Sequence, residues 1–448
     1  MINTQLFLDQ LKSETSEYDV YVLRINCPKL DALAWLKAQV GSEKFFWASR
    51  DQSLISAGLG VSFARPISAA DPDLFEGIEQ NSHPEATGYV QLPFNNQDST
   101  GWDAYNGAKV VFPELEYEES EQGAQWKVYL RADQLEDAEV QVSRILSTCS
   151  WSAPELSHSE LQVTDHQVLP SKEAWCKTIA EVQNDFSKST CDKVVLARQL
   201  DLTCEDNVDP FSVLNTLRDK QSTSYYGLIQ YDEQDAFIFK SPERLISIRQ
   251  TTLETEALAG SIQRGGEDQA DHLQERTLLR SSKNRWEHSL VIDHIETVLT
   301  HYCRSVQVAE KRSILKLPYI QHILQPVRAQ IDSPKQWAAL IDQLHPTPAV
   351  CGYDRKTAMC HIQSNEPFNR GLYAGAFGVV KHQFLELAVT IRAARIQKNK
   401  VSIFTGAGVV ADSDAMEEWQ ELNQKAGVFS PCFKNLNEII ACLSLISA

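Results

Sequence analysis

The chain has 448 residues, of which 43% are hydrophobic, so it can bury a large core and disorder should not dominate. Its 60 acidic and 42 basic residues give a formal net charge of −18, which argues against surfaces that bind nucleic acid or anionic membranes. An anionic small-molecule substrate stays possible if its site is locally positive or holds a metal ion.

The cysteines and the two termini indicate a cytoplasmic protein. The ten cysteines form no CxxC pair and no Cys/His cluster with zinc spacing, so reduced core thiols are expected. The first 18 residues lack the apolar run of a signal peptide, and the apolar stretch 439–448 is too short to span a bilayer. We therefore expect no membrane segment and no nucleic-acid partner.

The first third of the chain reads as short strands, loops and a few helices. Alternating or apolar runs predict strands at residues 20–26, 45–47 and 88–93. The polar segment 154–170 is the best candidate for a junction. A helix is predicted over residues 171–187, with inward residues Ala174, Ile179, Val182 and Phe186.

From residue 191 onward, well-marked strands alternate with helices. Strands are predicted at 193–198, 385–396 and 401–410, and segments 236–239 and 245–248 read as a hairpin around a Lys-Ser-Pro-Glu-Arg turn. One long helix is predicted from about 271 to 302. Hairpins mixed with helices, without a regular βαβ series, indicate an α+β fold.

Two predicted helices carry carboxylates on faces that should point inward. Glu287 lies four residues before Val291 on the apolar stripe of the long helix, although an edge position with a salt bridge is the simpler alternative. After a helix start at Asp414, the residues Glu418, Glu421 and Lys425 share one face, which could equally be solvated. Two helices with inward carboxylates would suit Mg²⁺, a hard cation that prefers oxygen ligands.

Small residues and one arginine mark a further possible binding site. Gly406 and Gly408 interrupt a strand, and Gly260 with Ser261 forms a small-residue turn after another. Such glycines allow close backbone approach to a ligand, although a β-bulge is about as good an explanation. Arg392 lies in an apolar strand, where a buried guanidinium needs an anionic partner from the protein or from a ligand.

These features fall in an ordered series of segments, namely 193–198, 241–245, 256–261, 287–288, 344–350, 370–375, 406–409 and 418–421, followed by Lys425. The series resembles the chorismate-utilising enzyme family, which includes anthranilate, aminodeoxychorismate, isochorismate and salicylate synthases. The resemblance covers residues 165–428 and, more loosely, the N-terminal part. It implies one large α+β unit with two central, mostly antiparallel sheets and outer helices. Residues 1–155 would complete that unit, residues 165–428 would form the chorismate-binding catalytic region, and 429–448 would be a tail.

The resemblance also implies roles for individual residues. Lys193 matches a lysine that water-using members have and ammonia-using members lack, which suits a base that deprotonates attacking water. Glu243 matches the general acid for the departing C4 hydroxyl, and burial would keep it protonated. Without the resemblance, Lys193 and Glu243 would read as surface residues of a strand and a turn. The matching metal ligands, for Mg²⁺, are Glu287 and Glu421, with Glu418 bound through water.

The remaining matches hold the substrate or lie near it. The groups expected to bind the two carboxylates of chorismate, or to lie near its ring, are Gly260, Ser261, His345, Tyr373, Arg392, Gly408 and Lys425. The segment 344–350 is most similar to isochorismate synthases, although Leu372 replaces a common tryptophan and Ser261 a commoner threonine. Both departures could alter the rate or the side reactions.

The sequence thus predicts Mg²⁺-dependent conversion of chorismate to isochorismate, without a glutaminase subunit. The alternatives are a salicylate synthase, which also eliminates pyruvate, an aminating synthase, which Lys193 argues against, and a non-catalytic chorismate-binding subunit. The N-terminal part is most similar to that of menaquinone-pathway enzymes, but a siderophore or salicylate pathway stays open. A monomer is expected because monomers are common among relatives without a glutaminase partner.

Overall fold

The computed structural model describes residues 4–11, 17–41, 43–68, 71, 73–158, 160–186, 188, 191–218, 223–317 and 320–444. Within these ranges the α-helices, α1 to α12 in chain order, are Thr4–Leu11, Ala32–Lys37, Leu74–Asn81, Ala138–Thr148, Lys172–Phe186, Pro210–Leu217, Asp268–Arg280, Ser282–Tyr302, Trp337–Leu344, Arg355–Asn365, Ala415–Ala426 and Leu436–Ser444. Across these same helices, none is both long and apolar enough to cross a membrane.

The β-strands of the described ranges are numbered β1 to β22 in chain order. They are Val20–Cys27, Lys44–Ala48, Leu54–Leu59, Phe63–Pro66, Gly88–Leu92, Lys109–Phe112, Leu115–Ser120, Gly123–Arg131, Val163–Leu169, Lys193–Cys204, Tyr225–Asp232, Asp235–Ser241, Arg244–Arg249, Thr252–Gln263, Ser305–Val308, Ser313–Lys316, Ile320–Gln330, Gly352–Tyr353, Ala376–Lys381, Phe384–Val389, Ala393–Gln397 and Lys400–Val409. The strands predicted near residues 20, 45, 88, 193 and 401 are confirmed.

Two large antiparallel sheets organise the molecule, which confirms the predicted α+β class. The larger sheet has twelve strands in the order β1-β8-β7-β3-β2-β11-β12-β21-β22-β10-β18, with β9 also paired to β10. The smaller has ten strands in the order β15-β17-β14-β13-β20-β19-β5-β6-β4, with β16 also paired to β17. Strands from the first 155 residues join both sheets, through the pairs β2–β11 and β5–β19.

Successive side chains along the strands of the larger sheet point alternately into two separate hydrophobic cores. In β2, Phe45 and Trp47 point into the core between the two sheets, whereas Phe46 points into a second core under helices such as α2, α4 and α6. Trp47 stacks on Tyr225 of the same sheet and meets the edge of Phe377 of the other sheet, with ring centroids 5.2 and 6.2 Å apart. Strands buried on both faces explain why many segments read as continuous apolar runs.

The predicted hairpin over 236–248 is wrong, because its two strands belong to different sheets. Strand β12 pairs with β11 and β21 in the larger sheet, and β13 pairs with β14 and β20 in the smaller one. The predicted strand 385–396 is also wrong as a single element, since β20 and β21 likewise lie in different sheets. Between them Arg392 has a φ of 51°, a left-handed conformation that ends the strand and that the sequence does not reveal.

Two helix predictions need correction. The long helix predicted over 271–302 is two helices, because the Ser281 side chain accepts a hydrogen bond from the Asn284 amide and starts α8 after α7. Helix α5 confirms the helix predicted over 171–187, although Ser187 lies outside the described residues. Its buried residues include Ile179 and Val182, but Ala174 is exposed and the neighbouring Trp175 is buried in its place.

Candidate active site

A cavity lies where the two sheets meet, closed by α8 and α11. Nine of the twelve predicted site residues line it, namely Glu243, Gly260, Ser261, Glu287, Tyr373, Arg392, Gly408, Glu421 and Lys425. A larger cleft of about 870 Å³ opens elsewhere on the surface, but none of the predicted site residues lines it. The cavity between the sheets is therefore the candidate site.

The chain reaches this cavity at the two points where it passes from one sheet to the other. Glu243 lies in the short crossing between β12 and β13, where its amide donates to the Ser241 hydroxyl and its carbonyl accepts from the Val389 amide. Arg392 lies in the crossing between β20 and β21. The sequence-based prediction had assigned these two crossings to a hairpin and to a single strand. Each of them places an ionisable side chain, Glu243 or Arg392, in the cavity lining.

Lys193 lies behind the cavity lining and is fully buried. Its Nζ is 3.0 Å from Glu287 Oε1, and among the described residues it has no hydrogen-bond acceptor of good geometry. Gly408 makes room for this pair, since a Cβ there would lie 2.4 Å from Glu287 Oε1 and 2.9 Å from Lys193 Cε. The close approach of the Lys193–Glu287 pair thus explains the glycine, whereas its strand position had suggested a ligand contact or a β-bulge.

Glu243 is the most perturbed acid of the site. Its side chain is buried, and burial together with the nearby charge of Glu256 raises the pKa of Glu243 to about 8, against smaller opposing effects of Lys193 and Lys425. Glu256 is itself ion-paired with Arg50, which also donates to the Pro242 carbonyl. Glu243 is therefore protonated at neutral pH and can donate a proton into the cavity.

The three predicted metal ligands lie on α8 and α11, and each is ion-paired with a lysine. The pairs are Glu287 with Lys193 at 3.0 Å, Glu418 with Lys283 at 2.5 Å and Glu421 with Lys425 at 2.6 Å. Within the described ranges, no three His, Cys, Asp or Glu side chains converge into a ready-made metal centre. Burial and the charge of Glu421 raise the pKa of Glu418 to about 7, so the two carboxylates repel each other in a poorly solvated place.

A neighbouring part of the cavity lining is built to bind an anion. Arg392 is buried, and in the part of the chain that the structure describes no carboxylate lies within ion-pairing distance of it. Its Nη2 is 3.0 Å from His322 Nε2, and His322 Nδ1 is 3.1 Å from the Ser261 hydroxyl. Burial and the charge of Arg392 hold the pKa of His322 far below its usual range, so this histidine is neutral. A guanidinium without a protein counter-ion is available to a ligand carboxylate.

Tyr373 and Lys425 also line the cavity. Lys425 Nζ donates to the Gly406 carbonyl at 2.7 Å, which holds the ammonium beside the strand β22. A Cβ on Gly406 would lie 2.7 Å from the Tyr373 hydroxyl, so the glycine lets the tyrosine approach the backbone. Gly260 has a φ of 74° at a bulge in β14, which places its backbone against the cavity.

One predicted residue lies elsewhere, and two residues of the site were missed. His345 does not line the cavity, and its Nε2 is 3.0 Å from the Pro93 carbonyl. The histidine that lines the cavity is His322, which pairs directly with Ser261 across β14 and β17. Lys283 was missed although it precedes Glu287 by one helical turn, a spacing that the sequence shows. Leu372, the departure noted above, is buried in the core and does not line the cavity.

Comparison with known proteins shows which family this chain is similar to. The family described as "Chorismate binding enzyme" matches residues 6–434. The chain is 31% identical to the isochorismate synthase MenF of Escherichia coli (strain K12), over 88% of this chain and 89% of that protein. It is 30% identical to the chloroplastic isochorismate synthase of Catharanthus roseus, over 86% of this chain and 70% of that protein.

Two solved structures have the same fold as this chain. The menaquinone-specific isochorismate synthase of Escherichia coli superposes with a TM-score of 0.84 at 26% identity, covering 96% of this chain and all of that one. Anthranilate synthase component I of Streptococcus pneumoniae shares the fold, with a TM-score of 0.66 at 19% identity over 84% of this chain and 92% of that one.

Proposed function

This chain belongs to the chorismate-binding enzyme family, and we propose that it converts chorismate to isochorismate. The observation that carries the proposal is the protonated, buried Glu243 in a cavity that also presents the uncompensated Arg392, with buried Lys193 directly behind it. Glu243 and Arg392 lie in crossings between the two sheets and Lys193 lies on β10, so the proposed acid, anion-binding group and base come from separate parts of the chain. The curated isochorismate synthases above cover most of the chain, which supports this reaction over others in the family.

Chorismate carries two carboxylates, and the cavity offers cationic and N–H groups for both. Arg392, with Tyr373 beside it, would bind one of them, and Lys425 with the backbone of Gly260 and Gly408 would bind the other. Ser261 is fixed by its contact with His322 and can donate a further hydrogen bond. These local positive groups allow a protein with a net charge of −18 to bind a dianion.

The donor set fits a magnesium ion. Glu287 and Glu421 both line the cavity, and their oxygens are the hard ligands that Mg²⁺ prefers. Glu418 lies behind them, where it would bind through water. Burial and, after it, repulsion by Glu421 raise the pKa of Glu418, and a divalent cation would relieve that repulsion. When bound, Mg²⁺ would supply positive charge that holds and orients a substrate carboxylate.

The chain's own residues then balance the protons of the reaction. In its neutral form, Lys193 takes a proton from the water that attacks C2, and Glu243 gives a proton to the C4 hydroxyl, which departs as water. The C2–O bond forms as the C4–O bond breaks, while the two ring double bonds shift from C1–C2 and C5–C6 to C1–C6 and C4–C5. No redox partner is needed, because the product is an isomer of the substrate.

The test is product analysis with purified protein and chorismate, with Mg²⁺ or with EDTA. We expect isochorismate only with Mg²⁺, and a rate at least about 100-fold lower in Lys193→Met, because loss of a general base typically costs 10²–10⁴-fold. Lys177→Met is the matched control, since Lys177 is an exposed lysine on α5 that pairs with Glu181 outside the cavity lining. Release of pyruvate with salicylate would reassign the enzyme to the salicylate synthases. A product that requires ammonia would overturn the role of water.

A further inference from the structure

Three lysines pair with the acidic cluster formed by Glu287, Glu418 and Glu421, and Lys283 is the one among these described pairs that the proposed reaction does not use. It lies in the first turn of α8 and reaches across to Glu418 on α11, with its Nζ 2.5 Å from Glu418 Oε1. About a quarter of the Lys283 side chain is exposed (23%), against 3% for Glu418. Lys193 and Lys425 pair with the other two carboxylates, but both have places in the proposed reaction.

The charge of Lys283 interacts with all three carboxylates of the cluster. Its ammonium is ion-paired with Glu418, and Glu287 and Glu421 are near enough to attract it as well. The ammonium therefore lies close to the place where a divalent cation would bind the same oxygens. Two cations cannot share these carboxylates without mutual repulsion, because Coulomb energies are large in a partly buried site.

We propose that Lys283 is a built-in counter-ion that competes with the divalent cation for the acidic cluster, an inference that rests on the proposed function. In the free enzyme Lys283 neutralises Glu418, which would otherwise be a buried carboxylate held only by uncharged groups such as the Ser413 side chain. It thereby weakens metal binding to the free enzyme. The two carboxylates of chorismate restore the negative charge, so the metal is held firmly only when the substrate is present. Lys283 is thus an affinity-setting residue and takes no part in proton transfer.

The experiment measures Mn²⁺ binding to the metal-free, full-length protein without chorismate, from the electron paramagnetic resonance signal of free Mn²⁺. Lys283→Met keeps the length of the side chain and removes the charge, and we expect its Kd for Mn²⁺ to fall about tenfold, equivalent to ~1.4 kcal/mol. Lys283→Arg keeps the charge, so its Kd for Mn²⁺ should stay within about twofold of the wild-type value. The Kd of the control Lys177→Met should stay in the same range, and a twofold change corresponds to ~0.4 kcal/mol.

A double-mutant cycle tests whether the effect acts through Glu418. In a Glu418→Gln background, Lys283→Met should change the Kd for Mn²⁺ much less, because the carboxylate that the lysine neutralises is gone. An unchanged or higher Kd in Lys283→Met alone would overturn the inference and indicate that the lysine organises the carboxylates instead. Circular dichroism melting curves establish that each variant is folded.

A separate arm distinguishes this inference from the proposed function. Wild-type Mn²⁺ binding that is lost in Glu421→Gln supports the metal site itself, whatever the Lys283 variants do. If neither the wild type nor Lys283→Met binds Mn²⁺, with or without chorismate, the metal site and the role of Lys283 are both overturned. Formation of isochorismate by the wild type is judged independently by the product analysis above.

Discussion

Replacing Glu243 by glutamine should stabilise the folded protein, increasingly so as the pH rises. The folded-state pKa of Glu243 is about 8, above its ordinary value of 4.5, because burial and Glu256 disfavour the charge. Well below pH 4.5 the carboxyl is protonated in both the folded and the unfolded state, so its ionisation does not change the free energy of unfolding. Between pH 4.5 and 8 only the unfolded state releases the proton, so the wild type loses stability as the pH rises. The glutamine side chain does not ionise in this range, so the Glu243→Gln variant does not lose stability in this way as the pH rises.

The size of the effect follows from the pKa difference. One pKa unit corresponds to ~1.4 kcal/mol, so between pH 6 and pH 8 the advantage of Glu243→Gln over the wild type should grow by about 2 kcal/mol. The side chain is only 4% exposed, so solvent screening does not reduce this figure much. The assay is urea unfolding at both pH values, in EDTA and without substrate, with Glu296→Gln on the exposed face of α8 as control. If the difference in unfolding free energy between Glu243→Gln and the wild type is the same at both pH values, Glu243 is ionised in the folded protein. That result would refute its role as general acid.

Two further substitutions test the packing that positions the site. Gly408→Ala should lower kcat/KM about 100-fold with little change in melting temperature, because the new Cβ displaces Glu287 and Lys193. Gly427→Ala is its control, since a Cβ there meets no atom within 4 Å; equal activities of the two variants would contradict the argument. Arg370→Met should lower the free energy of unfolding by about 3–5 kcal/mol, because it leaves the buried Glu366 unpaired and frees the Val195 carbonyl beside the cavity. A loss below about 1 kcal/mol in urea titrations would show that this pair does not support β10.

Local pattern was sufficient for most elements of this fold but not for their assembly into sheets. Alternation and apolar runs placed β1, β2, β5, β10 and β22 correctly. The segments on either side of Glu243, and on either side of Arg392, are equally apolar because both sheets bury them. Nothing local therefore distinguishes a hairpin from a crossing between sheets. The left-handed backbone at Arg392 is likewise imposed by its surroundings.

The site shows the same division between local and non-local information. The spacing of Lys283 and Glu287 on α8 could have been read from the sequence by the four-residue rule. His322 could not, because it reaches the cavity only through the register that pairs it with Ser261 across β14 and β17. His345 was selected by resemblance alone, and its hydrogen bond to Pro93 keeps it out of the cavity lining.

The most direct test of the proposed mechanism is the origin of the new hydroxyl oxygen. The wild-type enzyme is incubated briefly with chorismate and Mg²⁺ in ¹⁸O-labelled water, and the isochorismate formed at early times is analysed by mass spectrometry. Water attack assisted by Lys193 predicts one ¹⁸O atom in isochorismate, at C2. Unlabelled isochorismate would mean that the hydroxyl moves within the substrate, and it would contradict the assignment of Lys193 as base and of Glu243 as the acid that releases water.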